Sequence, residues 1–222
     1  MNSPPCASRF RVGVVESGER DALVSLREAA YAKSESFEWI DLARLGWTTM
    51  DDTGVVLGTW RQTSDNDSEQ LVASFRLNRF VDRKSAEAFL EYSLAGVPDR
   101  FPALVPSRSA TLPAVQRLGL HAIMRAAYLR ALPGINVRSV LTVVFEGAPR
   151  VASMLSTGYE SWECKAHWDS ESKSRTRPLI LSLPHHAFDQ ARQHCEGQVD
   201  RQKLDVRFDH VAIDAALRER WA

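Results

Sequence analysis

The stretch that most limits what this chain can fold into is NVRSVLTVVFE, residues 136–146, an almost unbroken apolar run. Its valines favour extended backbone. A strand lacking the usual polar alternation must be covered on both faces. Helical patterns stand on either side of it. Residues 114–131, AVQRLGLHAIMRAAYLRA, read as an amphipathic helix opening directly after Pro113. Residues 147–159, GAPRVASMLSTGY, read as a short helix stopped by Gly158. This predicts an α/β fold: a mixed central β-sheet flanked by helices.

The remaining elements fit the same plan. Residues 9–17 predict a strand, and 19–37 a helix with Leu23, Leu26, Ala30 and Tyr31 on one face. Residues 53–62 and 70–80 form a hairpin around the polar stretch TSDNDSE. Asp82 caps a helix over 82–95 that carries Ala86, Phe89 and Leu90, and 99–113 is extended and punctuated by prolines. A second hairpin follows at 159–168 and 177–184. The expected domain therefore spans 9–183, with 184–222 as a polar, partly helical C-terminal extension.

Charge and cysteine usage exclude several partners. Lysine plus arginine equals aspartate plus glutamate at 28 each, so no net field recommends nucleic acid. Cys6, Cys164 and Cys195 are odd in number and lack metal-ligand spacing, which points to free thiols in a reducing compartment. The segment MNSPPCASRF has no apolar core, and no run approaches the ~18 residues of a membrane span. A cytoplasmic protein with neither metal nor membrane span is expected.

One detail of the helix over 114–131 needs an explanation. Glycine inside a helix costs about 1 kcal/mol relative to alanine, yet Gln116 is followed by Gly119 in what would be the first turns. Free N–H groups at a helix start form an anion site. A missing Cβ lets a phosphate approach the backbone. The alternative is that Gly119 lets the helix pack closely on a strand.

In order and spacing, Pro113, Val115, Gln116, Gly119 and His121 resemble the acyl-CoA cradle of the GCN5-related N-acetyltransferase superfamily, Q/R-x-x-G-x-G/A. That superfamily continues with a buried strand and a short helix closing on Gly-Phe or Gly-Tyr, here Gly158-Tyr159. The resemblance covers residues 9–183 and implies the acyl-CoA N-acyltransferase fold. Within it, LREAAY at 26–31, Phe75-Arg76-Leu77 and Ser107-Arg108 look most like N-acyl amino acid synthases. Those proteins and the related acyl-homoserine lactone synthases take long acyl chains from CoA or an acyl-carrier protein. The insertion between Arg79 and Ser107 carries Phe89, Leu90, Tyr92, Leu94, Phe101 and Leu104. It is either the wall of an acyl tunnel or an ordinary core helix and linker.

The resemblance implies an enzyme that moves a medium or long acyl group from acyl-CoA or acyl-phosphopantetheine to an amine of an amino acid or peptide. Leu112, Ala114, Gln116, Arg117, Leu118, Gly119, Leu120 and His121 would hold pantetheine and pyrophosphate through backbone amides. A short-chain acetyltransferase and a non-catalytic acyl-thioester-binding module are the alternatives. The chain also departs from the pattern. His121 stands at the second small position, Met154 where many relatives carry a tyrosine acid, and residues 100–112 contain no Asp or Glu to act as base. A thioester is already activated, so alignment and oxyanion stabilisation remain the main requirements. His121, Tyr159 and His167 are the candidate proton-transfer groups.

Three other features carry weaker expectations. His185-His186-x-x-Asp189 is similar to the HHxxxD motif of chloramphenicol acetyltransferases but is one residue short. His185, His186, His194 and Cys195 are good zinc ligands by type, though their spacing matches no standard site. Trp39 and Trp47 lie in FEWIDLARLGW, which either helps form the acceptor pocket or packs in the core.

Overall fold

The computed structural model describes residues 9–32, 45–62, 68–163 and 177–221. Along the chain the elements are β1 (Arg9–Val14), α1 (Arg20–Tyr31), α2 (Thr49–Thr53), β2 (Val55–Gln62), β3 (Glu69–Phe80) and α3 (Arg83–Leu90). Next come β4 (Ala103–Thr111), α4 (Leu120–Ala131), β5 (Ser139–Phe145), α5 (Pro149–Leu155), β6 (Glu160–Glu163) and β7 (Pro178–Pro184). The chain closes with α6 (Phe188–Gln202), β8 (Asp205–Phe208) and α7 (His210–Trp221). The strands form one mixed sheet in the order β6-β7-β5-β4-β3-β2-β1-β8.

Period-two alternation assigns each face of the sheet. Ala73, Phe75 and Leu77 of β3 join a core with Ile123, Met124 and Tyr128 of α4. Val56 and Trp60 instead meet Leu23 and Leu26 of α1, and a register shift opposite Thr59 and Trp60 puts Leu71 on the same side. The insertion packs on the α1 side, where Ala86 and Leu94 meet Ala103, Val105, Leu141 and Ile180. Arg76, between Phe75 and Leu77, points to the α1 face, where it meets Thr48.

The extension, described through 221, packs on the same sheet and core. β8 extends the sheet by pairing in parallel with β1. Ile213, Leu217 and Trp221 of α7 and Phe188 and Ala191 of α6 belong to the principal core. Between this layer and the sheet, α4 buries nine of its twelve residues, so it is a central helix and not a surface amphipathic one. Small residues at Ala122 and Ala126 let Cys195 of α6 pack against it.

The helix expected from Ala114 begins at Leu120. Pro113 opens a 3-10 turn over 113–115, Arg117 takes φ 71° and Gly119 takes φ 68°, so the chain is not helical until Gly119 has capped α4. The glycine is thus outside the helix and carries no helix-interior cost. Its φ is one that Cβ-bearing residues resist, and a Cβ there would stand 2.7 Å from Gln202 Oε1. Two other ends also move. α3 stops at Leu90 because Glu91 takes φ 62°, and α1 closes at Tyr31.

Gly119→Ala is expected to lose about 1–2 kcal/mol of stability from the left-handed backbone alone. Adding Gln202→Ala should recover only the contact component. Urea denaturation of the single and double variants measures both.

Candidate active site

The site begins with a sheet that comes apart. β4 and β5 run parallel but pair only at Ala103–Ser139 and Leu104–Val140. Beyond those pairs β4 stays with β3, and β5 stays with β7 out to Phe145. Thr142 and Val143 are half-buried, so the second part of the apolar run 136–146 is not covered on both faces as expected. Just past the parting β4 bulges: Arg108 and Ser109 stand opposite the single Phe75, with Arg108 at φ 51°. Such bulges re-aim side chains and backbone next to sites of chemistry.

A cavity of about 570 Å³ opens at the parting, lined by Pro106, Ser107 and Arg108 of β4 and by Thr142 and Val143 of β5. This is ample for a small-molecule site. Its apolar wall includes Phe89, Leu90 and Tyr92 from the insertion, and its polar wall Arg27, Tyr31, Thr48 and Arg76. Tyr31 donates to the Ser109 carbonyl at 2.8 Å, which fixes α1 against the bulge. Burial raises the Tyr31 phenol above its usual range, opposed by Arg27, Arg108 and Arg150.

Beneath the polar wall lies an ion cluster. Asp51 Oδ1 is 2.6 Å from Arg27 Nη2 and 3.7 Å from Arg76 Nη1, and all three side chains are buried. Asp51 Oδ2 accepts from the backbone N–H and the hydroxyl of Thr48. Arg76 also donates through Nε to Ser107 Oγ at 3.2 Å, and its guanidinium lies over the Phe89 ring. Burial pushes the Asp51 carboxyl up, but Arg27 and Thr48 outweigh it and hold the group below its ordinary range. Burial, with repulsion from Arg108 and Arg27, lowers Arg76 to about 10 despite Asp51. Arg76 stays charged at neutral pH.

Of the proton-transfer candidates, His121 and Tyr159 lie away from this lining, on the α4 side of the sheet. His121 Nε2 is 2.7 Å from Thr111 Oγ1, and its ring stacks on Phe75. Burial, Arg125 and Arg150 lower its pKa to about 4, so the imidazole is neutral at pH 7. Tyr159 is buried against Tyr128 and Arg125, and burial raises its phenol. His167 lies outside the described residues, as do Trp39 and Cys164.

In the cradle, the Leu112 N–H donates to the Val72 carbonyl, and the Leu112 carbonyl accepts from Val115. Among the described residues the backbone N–H groups of Arg117, Gly119, Leu120 and His121 make no backbone hydrogen bond. The missing Cβ at Gly119 answers to its φ and to Gln202.

His185 and His186 line a second cavity of about 490 Å³ with Asp99, Arg100 and Arg138, at the end of the sheet where β4 and β5 still pair. Asp189 bonds Arg192 at 3.3 Å, so the His-His-Asp pattern is not assembled. Trp47 donates to Asp52 at 2.7 Å and sits under Arg20. Asp51 was not singled out from sequence. The signal for Asp51 was present as Thr48-x-x-Asp51, a capping box opening α2.

No family model matches the chain, and no curated protein matches its sequence. Solved structures do. A CoA-dependent acyl-homoserine lactone synthase, BjaI, solved with SAM and isopentyl-CoA, is 14% identical, with a TM-score of 0.55 over 94% of this chain and 98% of its own. The ribosomal-protein alanine N-acetyltransferase from Escherichia coli is 14% identical, with a TM-score of 0.51 over 79% and 93%. An N-acetyltransferase from Staphylococcus aureus is 5% identical, with a TM-score of 0.53 over 79% and 98%. The chain has the fold of the GCN5-related N-acetyltransferase superfamily. No helix among the described residues is long and apolar enough to cross a membrane.

Two outcomes test the electrostatics. Asp51→Asn leaves two buried guanidiniums without their carboxylate and should cost about 3–5 kcal/mol, read by chemical denaturation. His121 is more basic unfolded than folded, so the stability it contributes is complete above its ordinary value of 6.5 and is lost as pH falls to about 4. In His121→Gln, melting temperatures should fall less steeply across that window.

Proposed function

We propose that this chain is an N-acyltransferase. It takes an acyl group of medium or long chain from acyl-CoA or an acyl-carrier protein and delivers it to the amine of an amino acid or peptide. The observation that carries this reading is convergence. Arg27 and Tyr31, Arg76, and Ser107 with Arg108 come from three separated segments of synthase-like sequence, and all line one cavity at the parting of β4 and β5. The donor reading draws further support from the backbone N–H groups of the turn before α4 that have no backbone acceptor, a setting suited to a phosphate.

In this reading Leu112, Ala114 and Gln116 to His121 form the donor cradle, with Leu112 fixing the turn. The thioester would lie between the diverging strands, its carbonyl near the bulge at Arg108 and Ser109. Backbone N–H groups aimed there would stabilise the oxyanion. The acyl chain would run along Phe89, Leu90, Tyr92 and Val143. The acceptor would enter beside Arg27 and Arg76, where two buried guanidiniums share Asp51 and favour a substrate bearing a carboxylate. Neutral His121 would position Thr111, and no step need pass through Tyr159. Residues 9–183 would hold the chemistry, with 184–222 bracing α4 and the cradle.

Native mass spectrometry against CoA esters from acetyl to palmitoyl tests the donor. Retention of octanoyl and longer esters over acetyl is the expected result. Retention of acetyl-CoA alone would make the chain a short-chain acetyltransferase. Failure to retain any ester or to bind acyl-carrier protein would overturn the proposal.

A further inference from the structure

The chain lacks an acidic residue on β4, and Asp51 is consumed by Arg27, Arg76 and Thr48. Among the described residues, the lining of the cavity nevertheless includes a carboxylate residue, Glu91. Among the described residues its side chain makes no hydrogen bond or ion pair, although the residue lines a cavity with three arginines. Glu91 also breaks two local rules. It follows the last residue of α3 and holds φ 62°, a conformation suited to glycine or asparagine. Its negative charge stands at the negative end of the helix, where a cation is favoured. Nothing local accounts for a glutamate at this position. An observed backbone outlier inside a cavity is a reason to look for a functional role.

We infer that Glu91 is the proton acceptor for the incoming amine, standing in from the end of α3 for the missing strand carboxylate. The inference rests on the acyltransferase reading above. The ammonium of the acceptor gives one proton to the Glu91 carboxylate, and the freed lone pair forms the C–N bond at the thioester carbonyl carbon. Collapse of the tetrahedral adduct breaks the C–S bond. The thiolate takes a second proton from the nitrogen and leaves as the thiol, and Glu91 returns its proton to water. Tyr31 and Arg27 of α1, Arg76 of β3, Arg108 of β4 and Tyr92, next in the chain, are the titratable and charged groups lining the same cavity.

The test uses the full chain with acetyl-, octanoyl- and palmitoyl-CoA and a pool of the twenty common amino acids, following thiol release and N-acyl product by mass spectrometry. Glu91→Gln should lower kcat/KM about 100-fold. Its rate should climb with pH toward the free amine, where the wild type levels off, and Glu91→Asp should restore the wild-type profile. Glu91→Gly, free of the left-handed strain, should melt higher than wild type yet stay inactive. A structural Glu91 would give a less stable, active glycine variant. Equal rates and pH profiles for wild type and Glu91→Gln would overturn the inference and leave the acyltransferase reading in place. No product from the wild type with any donor would remove both.

Discussion

Two residue pairs hold β4 to β5, and nearly every feature of the site follows from there being no more. Backbone N–H and C=O groups on facing strand edges need partners. Once the strands diverge, those edges open into the cleft between them. Pro106 lies just beyond the last pair, at Leu104–Val140. A proline has no N–H to donate and belongs at sheet edges, yet β4 is central by strand order. The conflict disappears because β4 has become an edge at that residue. Proline, parting, bulge and cavity are one local decision read at four scales.

The buried ions make that decision rigid. Arg27 comes from α1, Asp51 from α2 and Arg76 from β3, so a single cluster fixes three elements around the cleft. Taking such charges from water costs several kcal/mol per ion and is repaid only by close geometry and further hydrogen bonds. Here Thr48 supplies two of those bonds to Asp51, and the carbonyls of Leu45 and Gly46 accept from Arg27. Apolar side chains would fill the same volume with less desolvation. What they would not do is present guanidinium at the cavity wall, and Arg76 does so while also holding Ser107.

The layered architecture was legible because it rests on periodicity. The apolar run at 136–146, the alternation in 70–80 and the Asp82 cap each act through neighbours in sequence, and the strands and caps formed there. The cleft was only partly legible. Arg76 and Ser107-Arg108 stood out by resemblance; Asp51 was legible only as the capping box of α2, and its place between Arg27 and Arg76 is set by the fold. Gly119 is the instructive case. It invited an account in terms of a helix interior, whereas the conformation is set by φ and by Gln202, distant in sequence. β8 was missed for the same reason, inside a segment expected to be partly helical: DVRF is too short to announce a strand, and it forms one because β1 offers an edge.

The backbone outliers then carry an argument of their own. Among the described residues, left-handed φ occurs at four positions other than glycine: Glu91, Arg108, Arg117 and Lys203. Each costs free energy that the surrounding structure must offset. Scattered strain would say little, but two of these positions share one cavity and the other two lie at the turn before α4 and at the end of α6. Glu91 and Arg108 line the cavity, Arg117 lies in the turn before α4, and Lys203 follows Gln202, whose amide fills the space beside Gly119. A fold that needed only stability would relax such sites one at a time through glycine or asparagine. Keeping two charged residues, Glu91 and Arg108, in this conformation in the lining of one cleft is what a chain does when the direction of those side chains matters more than the strain of holding them.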